Sequence, residues 1–442
     1  MLLGVIQEKN RNTFTVTDPT LILQALVSLK DVRVLDYYRD RQNVWLRVEQ
    51  VLKGPSCPTC RTRAWVKDRP EVSYIDLPVY GKSMRLIWRK HRLTCPNPAC
   101  AATTWMNTDP RIAPVKGYLT TRAAKWATKQ VGTGRTVKEV AHELGCDWHT
   151  INDTVTRYGA ALLKADRQRV NRTCAIGLDE TSFVRLKRHH TSFVTTVCDV
   201  ENHQIIDIVP SRNYIDVAHF LTDQPKQWKE RIEFGTLDMS PTYRAVFNVI
   251  LPKVTQVVDH FHVIKLANNT LDQVRRRVQQ DQLHHRGRKN DPLFKIRRTL
   301  LVGQDKLSEK TSERLTCLLT LGDPNGEVAI TYRIKERLRE FYDQTNMESA
   351  RELLDELITT CRKASMPAEV QKLGATLKTW HPQILAYHHA HHSNGITEAM
   401  NNLIKRVKRV GYGFRNFNNY RTRVLLYAGK PHWRTLDSIT IP

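Results

Sequence analysis

The stretch that most constrains this chain is a short apolar run that stops on a carboxylate, Cys174-Ala-Ile-Gly-Leu-Asp179-Glu-Thr-Ser-Phe-Val184. Two more strand-like runs follow, His190-Thr-Ser-Phe-Val-Thr-Thr-Val-Cys198 and Gln204-Ile-Ile-Asp-Ile-Val209. Both are rich in β-branched residues, and the turn-forming Asp199-Val-Glu-Asn-His203 separates them. Three such runs predict an antiparallel meander whose first strand ends on Asp179. An aspartate alone can do no more than cap a turn; what lies downstream gives this one a different reading.

After a helical segment at Ile215–Thr222, the run Ile232–Leu237 is again strand-like and again ends on an acid, Asp238. Met239-Ser-Pro-Thr-Tyr243 then opens a helix, with Pro241 well suited to a first turn. Carboxylates at the ends of neighbouring strands can share divalent cations. Asp259, which ends Val254–Val258 and precedes His260-Phe-His262, competes with Asp238 for that role. Asp238 is preferred because it ends the fourth strand and Asp259 the fifth, with His260 and His262 still able to face the site. A third acid lies in Ser393-Asn-Gly-Ile-Thr-Glu398, which opens a helix to Val410. There Ile396, Ala399, Leu403, Val407 and Val410 predict one apolar stripe, with Glu398, Asn402, Lys405 and Arg409 on the opposite side. Tyr412-Gly-Phe-Arg-Asn-Phe417, with Arg415, suits either packing on the sheet or stacking on bases, and Tyr420–Tyr427 reads as the last helix of the core.

Between these acids, from Lys265 to about Ala390, the pattern is helix after helix, clearest at Val274–Leu283, Val328–Tyr342, Ser349–Arg362 and Ala368–Trp380. A basic run from Arg275 and Arg276 to Arg298 is opposed only by Asp281 and Asp291. A solvated face accounts for about half of it, and the remainder suggests a surface that tracks phosphates.

At 442 residues the chain exceeds one ordinary core; about 150 residues per domain suggests two to four. A net charge of +25, with a pI near 9.8, points to a polyanionic partner, most naturally nucleic acid, which the helix-turn-helix and the resemblance below narrow to double-stranded DNA. No long apolar run or basic amphipathic helix favours a membrane. Met1–Ile6 is too short for a secretory core, so a cytoplasmic, nucleoid-associated protein is expected. Residues 1–30, with the apolar patch Leu21–Val27, carry no readable chemistry.

Nine cysteines in such a compartment should be reduced. Four are spaced as metal ligands: Cys57-Pro-Thr-Cys60, delivered by a hairpin of Val32–Tyr37 and Val44–Val51, and Cys95-Pro-Asn-Pro-Ala-Cys100, led into by Ser83–Arg89. Two such knuckles make a closed structural zinc site, and a redox pair would need a βαβ context that is missing here. Thr120–Val131 reads as a helix. Thr136-Val-Lys-Glu139 is a capping box opening a second one that Gly145 closes, and Asp147 caps a third, Trp148–Tyr158, with Ile151, Val155 and Tyr158 inward. This is a helix-turn-helix whose last helix would read the major groove through His149, Thr150, Asn152, Asp153 and Arg157.

The expected architecture is a multidomain α+β chain. Residues 1–110 form an N-terminal β ribbon and zinc-binding module, and 111–170 a helix-turn-helix domain. A ribonuclease-H-like α/β catalytic core spans 171–264 and 391–442, interrupted by an all-helical insertion at 265–390. The ordered set of motifs, from Cys57-x-x-Cys60 through Gly-Leu-Asp179-Glu, Leu-Asp238-Met-Ser-Pro, Val-Asp259-His-Phe-His and Ser-Asn-Gly-x-x-Glu398, resembles the ISL-three family of bacterial insertion-sequence transposases. The four residues between Cys95 and Cys100 depart from the usual two. The resemblance implies an Asp-Asp-Glu triad of Asp179, Asp238 and Glu398. Three carboxylates suit two Mg²⁺ ions, with Mn²⁺ able to substitute, for cutting DNA at terminal inverted repeats and joining the ends to a target. Pairing two ends implies a homodimer or larger assembly. Two rivals are a domesticated, non-catalytic DNA-binding regulator and a different two-metal nuclease of the same fold.

Overall fold

The computed structural model describes residues 27, 29, 31–187, 190–390 and 395–441. Most of the apolar patch Leu21–Val27 and the helix-opening Ser393-Asn394 lie outside them. Strands β1 (Val32–Arg39) and β2 (Asn43–Gln50) form the expected hairpin. That hairpin does not belong to the zinc knuckles. It joins β4 (Glu71–Val79) and β5 (Lys82–Arg89) in a four-stranded sheet, order β1-β2-β5-β4, with β2 and β5 parallel. The knuckles sit instead on a small sheet of β3 (Trp65–Asp68), β6 (Arg92–Thr94) and β7 (Thr104–Met106). The strand that leads into Cys95 is therefore β6, not Ser83–Arg89. β4 breaks the alternation expected of a strand because Asp76 is fully buried in it. Thr120 and Arg122 donate to its carboxylate, and these bonds fasten the next domain to the sheet.

Helices α1 (Thr121–Gly132), α2 (Val137–Leu144) and α3 (Trp148–Ala165) follow. The capping box is formed: Thr136 accepts from the Glu139 amide, and Glu139 from that of Thr136. Gly145 ends α2 at φ +64°, where a side chain would be strained, and the Asp147 carboxylate receives the Thr150 amide. Ile151, Val155 and Tyr158 are buried as expected. α3 continues two turns past Tyr158. It ends against α13 (Phe417–Ala428), so closely that a Cβ on Gly159 would lie 2.8 Å from Leu426 and Thr422.

The third sheet has the order β10-β9-β8-β11-β12. β8 (Ala175–Lys187), β9 (His190–Asp199) and β10 (Gln204–Val209) form the antiparallel meander, and β11 (Phe234–Leu237) and β12 (Thr255–Val258) add in parallel. β8 does not stop at Asp179. Its pairing with β11 ends at Leu178, whereas its ladder with β9 continues through Lys187. α4 (Tyr214–Thr222), α5 (Lys226–Arg231) and α6 (Pro241–Ile250) cover one face through Val217, Leu221, Trp228 and Phe247. α12 (Gly395–Val410) and α13 cover the other, around Val194, Ile205, Ile404, Tyr420 and Val424.

Helicity after β12 begins at His260, earlier than Lys265. α7 (His260–Leu283) is continuous for 24 residues, roughly 36 Å, and carries the chain from the sheet into α8 (Glu309–Gly322), α9 (Glu327–Asp343), α10 (Met347–Cys361) and α11 (Ala368–Thr379). Leu271, Val274, Leu338, Phe341 and Leu354 of this block belong to the same hydrophobic core as Ile176, Leu178 and Leu237 of the sheet. Among the described residues no helix is long and apolar enough to cross a membrane.

Candidate active site and metal centre

The parallel register Leu178↔Leu237↔Val258 makes the next residue of each strand an acid, in the order Asp179, Asp238, Asp259 across the sheet. Neighbouring strands are about 4.8 Å apart, so Asp238 stands between the other two. Asp259 is 3% exposed and already engaged, with His262 Nδ1 at 3.1 Å and His260 Nδ1 at 3.5 Å. Asp238 is not engaged in this way: its Oδ1 is buried without a hydrogen-bond partner among the described residues. Asp179 accepts the Glu180 amide at 2.7 Å and the Asn401 side-chain amide at 2.6 Å.

Electrostatics set these groups apart from ordinary surface acids. Burial, reinforced by the charge of Asp238, pushes Asp179 up to about 6. Burial also raises Asp238, against the pull of His262. The hydrogen bond that His262 donates to Asp259 raises its pKa, and the charges of Asp259, Asp238 and Asp179 add to that shift. Two crowded carboxylates, one with an orphaned oxygen, and a protonatable imidazole beside them form a site that favours added positive charge. His262 thus faces the acids, whereas His260 packs between Tyr342 and Tyr387 of the helical block.

Glu398 is exposed on the first turn of α12. It lies three residues before Asn401, a spacing that makes the two side chains neighbours on a helix surface. Asn401 is 5% exposed, and its carboxamide also accepts from Thr181 and Thr196. The helix is therefore rotated from the expected apolar stripe. Thr397, Met400, Asn401, Ile404 and Val407 are buried, while Ala399 is exposed and Ile396, Leu403 and Val410 are only half-buried. Polar Asn401 faces inward because the sheet supplies hydrogen-bonding groups there, Thr181, Thr196 and Asp179, which a count of apolar residues cannot register. Glu398, Asn402, Lys405 and Arg409 are all exposed, as is Arg415. Asn401 was missed; its Glu-x-x-Asn spacing to Glu398 was the available signal.

Of the expected DNA contacts, His149, Asp153 and Arg157 line a groove of about 580 Å³ with Arg85 and Lys116. Thr150 also lines it, its hydroxyl donating to Asp147. Asn152 is on another face: its carbonyl oxygen accepts from Asn419 at 2.7 Å, so it braces α3 against α13 and does not point outward. Arg275 is also reassigned. It is 4% exposed and held by Asp272 and Gln279, an internal strut rather than a phosphate contact. Arg276 is exposed and pairs with Asp272 at 2.7 Å.

The four cysteines converge as their spacing predicts. Cys57 Sγ is 3.7 Å from Cys100 Sγ, and Cys60 Sγ 3.5 Å from Cys95 Sγ. With Zn–S bonds of about 2.3 Å, a tetrahedral site requires sulfurs about 3.8 Å apart, so four thiolates here fit zinc despite the longer second knuckle. Within the cluster the shifts oppose one another: hydrogen bonding with Thr62 holds Cys60 down to about 6, while burial pushes Cys95 up to about 12. Among the described residues this is the only group of three or more His, Cys, Asp or Glu whose ligand atoms all lie within 4.8 Å of one another. The three carboxylates do not converge that tightly.

Comparison with known proteins agrees with each part. Residues 53–100 match the profile described as the zinc-finger of transposase IS204/IS1001/IS1096/IS1165, residues 113–159 the helix-turn-helix domain of transposase family ISL3, and residues 176–424 the DDE transposase profile of the same family. The chain is similar to the transposase for insertion sequence element IS1001 of Bordetella parapertussis, 25% identical over 367 residues covering 81% of this chain and 85% of that protein. It is also similar to the transposase for insertion sequence element IS1557 of Mycobacterium tuberculosis, 25% identical over 289 residues, 61% of this chain and 63% of that one. A zinc knuckle, a DNA-binding helix-turn-helix and a transposase core thus occur in one order along one chain, and the chain belongs to the ISL3 family of transposases.

Proposed function

We propose that the protein cuts DNA at the terminal inverted repeats of an insertion sequence and joins the freed ends to target DNA. Its core is read as ribonuclease-H-like, 171–264 with 391–442, and the helical block 265–390 as an insertion that precedes the third acid. Asp179, Asp238 and Glu398 are the catalytic and metal-binding triad. The observation that carries this reading is the register that sets Asp179 beside Asp238, together with the Asn401 bond that ties the Glu398 helix to Asp179. The all-oxygen donor set and the orphaned Asp238 Oδ1 fit Mg²⁺, with Mn²⁺ as a substitute. What a divalent pair supplies in such a site is activation of water or a 3′-hydroxyl and stabilisation of the leaving oxygen.

The protein groups have separate tasks. Asn401 fixes the Asp179 carboxylate and brings Glu398 alongside it. His262, held by Asp259, keeps a positive charge next to Asp238 and restrains its pKa. The zinc module and α3 recognise the repeat, with His149, Thr150 and Arg157 toward DNA, while Arg276, Lys405, Arg409 and Arg415 hold backbone phosphates. Two ends handled together require two active sites, hence a dimer or larger assembly, acting on DNA in the cytoplasm. The test is a labelled duplex carrying the terminal repeat, incubated with Mg²⁺ or without it, beside Asp238→Ala. Cutting at the repeat boundary is expected only with metal and with Asp238 intact. Specific binding without cutting under any divalent ion would instead identify a DNA-binding regulator.

A further inference from the structure

A separate cavity of about 420 Å³ opens at the same rim of the sheet as the carboxylates, lined by Glu180, Arg212, Tyr214, Ser240, Thr242 and Tyr243. The chain ties it to the catalytic acids at both ends. Glu180 follows Asp179 on β8 and, by strand alternation, projects from the opposite face of the sheet, the face covered by α4 and α6. Ser240 caps α6, which begins just after Asp238, and its hydroxyl accepts from the Tyr243 amide. The Tyr243 side chain is buried, and its hydroxyl pairs with that of Thr195 at 2.9 Å. Thr195 Oγ1 in turn donates to the Ser211 carbonyl at 2.8 Å. Arg212 thus stands on backbone pinned to the central part of the sheet.

The Arg212 side chain is held but not consumed. Nη1 donates to Glu180 at 2.9 Å, and the guanidinium lies 4.6 Å from the Phe193 ring centroid. A guanidinium has five N–H donors, and this is the one hydrogen bond that engages them among the described residues; the side chain is 53% exposed. Arg421 and Arg277 are more fully engaged: Arg421 gives two donors to Asp207, and Arg277 is shared between Glu327 and Glu369. The N-terminal ends of α4 and α6 open onto the cavity beside it and add their positive potential. A cation fixed by one acid and one ring, with free donors in a polar cavity beside a pair of catalytic carboxylates, matches a tetrahedral anion on the reacting strand.

We propose that this cavity seats a backbone phosphodiester of the DNA strand close to the scissile bond, and that Arg212 grips it. The inference rests on the transposase reading of Asp179 and Asp238 and adds a substrate subsite to it. Glu180 keeps the guanidinium aimed along the rim and offsets its charge until the phosphate arrives.

The experiment uses the full-length chain and terminal-repeat duplexes, each carrying one neutral methylphosphonate at a successive position around the cut. Cleavage rate, repeat binding and melting temperature are measured for wild type, Arg212→Ala and Arg212→Lys. If wild type cuts no duplex under any divalent ion, the catalytic reading falls and this subsite with it. If wild type cuts, Arg212→Ala is expected to slow cleavage about 10- to 100-fold, the worth of one charge-assisted contact, with repeat binding and melting unchanged and partial recovery in Arg212→Lys. One methylphosphonate position should slow wild type by a similar factor and slow Arg212→Ala no further. Arg212→Ala cutting at the wild-type rate, or every methylphosphonate slowing both proteins equally, would overturn the subsite while leaving the triad standing.

Discussion

Asp179 carries a charge that its surroundings make expensive. Its folded pKa of about 6 exceeds the ordinary 3.8, with burial the first cause and Asp238 an added one. In that window the folded chain binds a proton that the unfolded chain has released, so stability falls as pH rises from about 4 to about 6 and stays lower above it. Asp179→Asn removes the charge at constant shape. Without added Mg²⁺ it should be more stable than wild type by about 2 kcal/mol at pH 7.5, the difference shrinking toward zero near pH 4. Paired thermal melts at the two pH values check this, and a difference independent of pH would rule out the electrostatic cause. Added Mg²⁺ should raise the melting temperature of wild type more than that of the variant. Asp179 and Asp238 were legible because each closes an apolar run, and register is what makes them neighbours. Arg275 was misread because a run of basic residues does not disclose which of them meets an internal acid. Asn401 was missed because its partners are Asp179, Thr181 and Thr196, more than 200 residues away in the chain.

At the scale of elements, local rules carried furthest where the stabilising groups are themselves local. The Thr136–Glu139 box, the Gly145 stop and the Asp147 cap all involve residues within three or four positions, and all are formed. β4 and α12 depart from simple periodicity where a polar side chain is buried against a distant partner, Asp76 with Arg122 and Asn401 with Asp179. The rotation of α12 has a measurable consequence. Replacing Asn401 with Ala strips an amide from buried Thr181 and Thr196 and from Asp179, at a cost of about 2–3 kcal/mol, and loosens the turn that presents Glu398. Cleavage should drop by two orders of magnitude or more while repeat binding persists, because the helix-turn-helix is untouched. Asn402→Ala, one position along and exposed, should leave melting and cleavage near wild type. Equal effects of the two substitutions would show that the buried face has been misassigned.

Across the whole molecule, stability is unevenly distributed. One core runs from the five-stranded sheet into the helical block, a second fills the helix-turn-helix and reaches Leu426, and a third lies under β1, β2, β4 and β5. No residue of β3, β6 or β7, nor of the two knuckles, belongs to any of these clusters among the described residues, although Cys57, Ala64 and Leu93 are buried. So small a sheet without an apolar cluster depends on its metal. Four thiolates binding zinc supply on the order of 10 kcal/mol or more, and where no preformed site exists in the unfolded chain that free energy is folding free energy. Cysteine spacing made the ligand set readable, but not that the preceding hairpin belongs to another sheet, since the parallel pairing of β2 with β5 is non-local. Cys57→Ser, or treatment with a strong zinc chelator, should therefore melt the knuckles with β3, β6 and β7 locally, residues 53–68 and 92–107, while β4 and β5 keep their own core. Hydrogen exchange there should rise to that of an unfolded segment, while protection in β8, β11 and α7 and the main thermal transition stay within a few degrees of wild type. Specific repeat binding should fall with the module, and Mg²⁺-dependent cutting of a pre-nicked, non-specific duplex should survive. Loss of protection throughout the chain on zinc removal would mean instead that the module is a cornerstone of the entire fold.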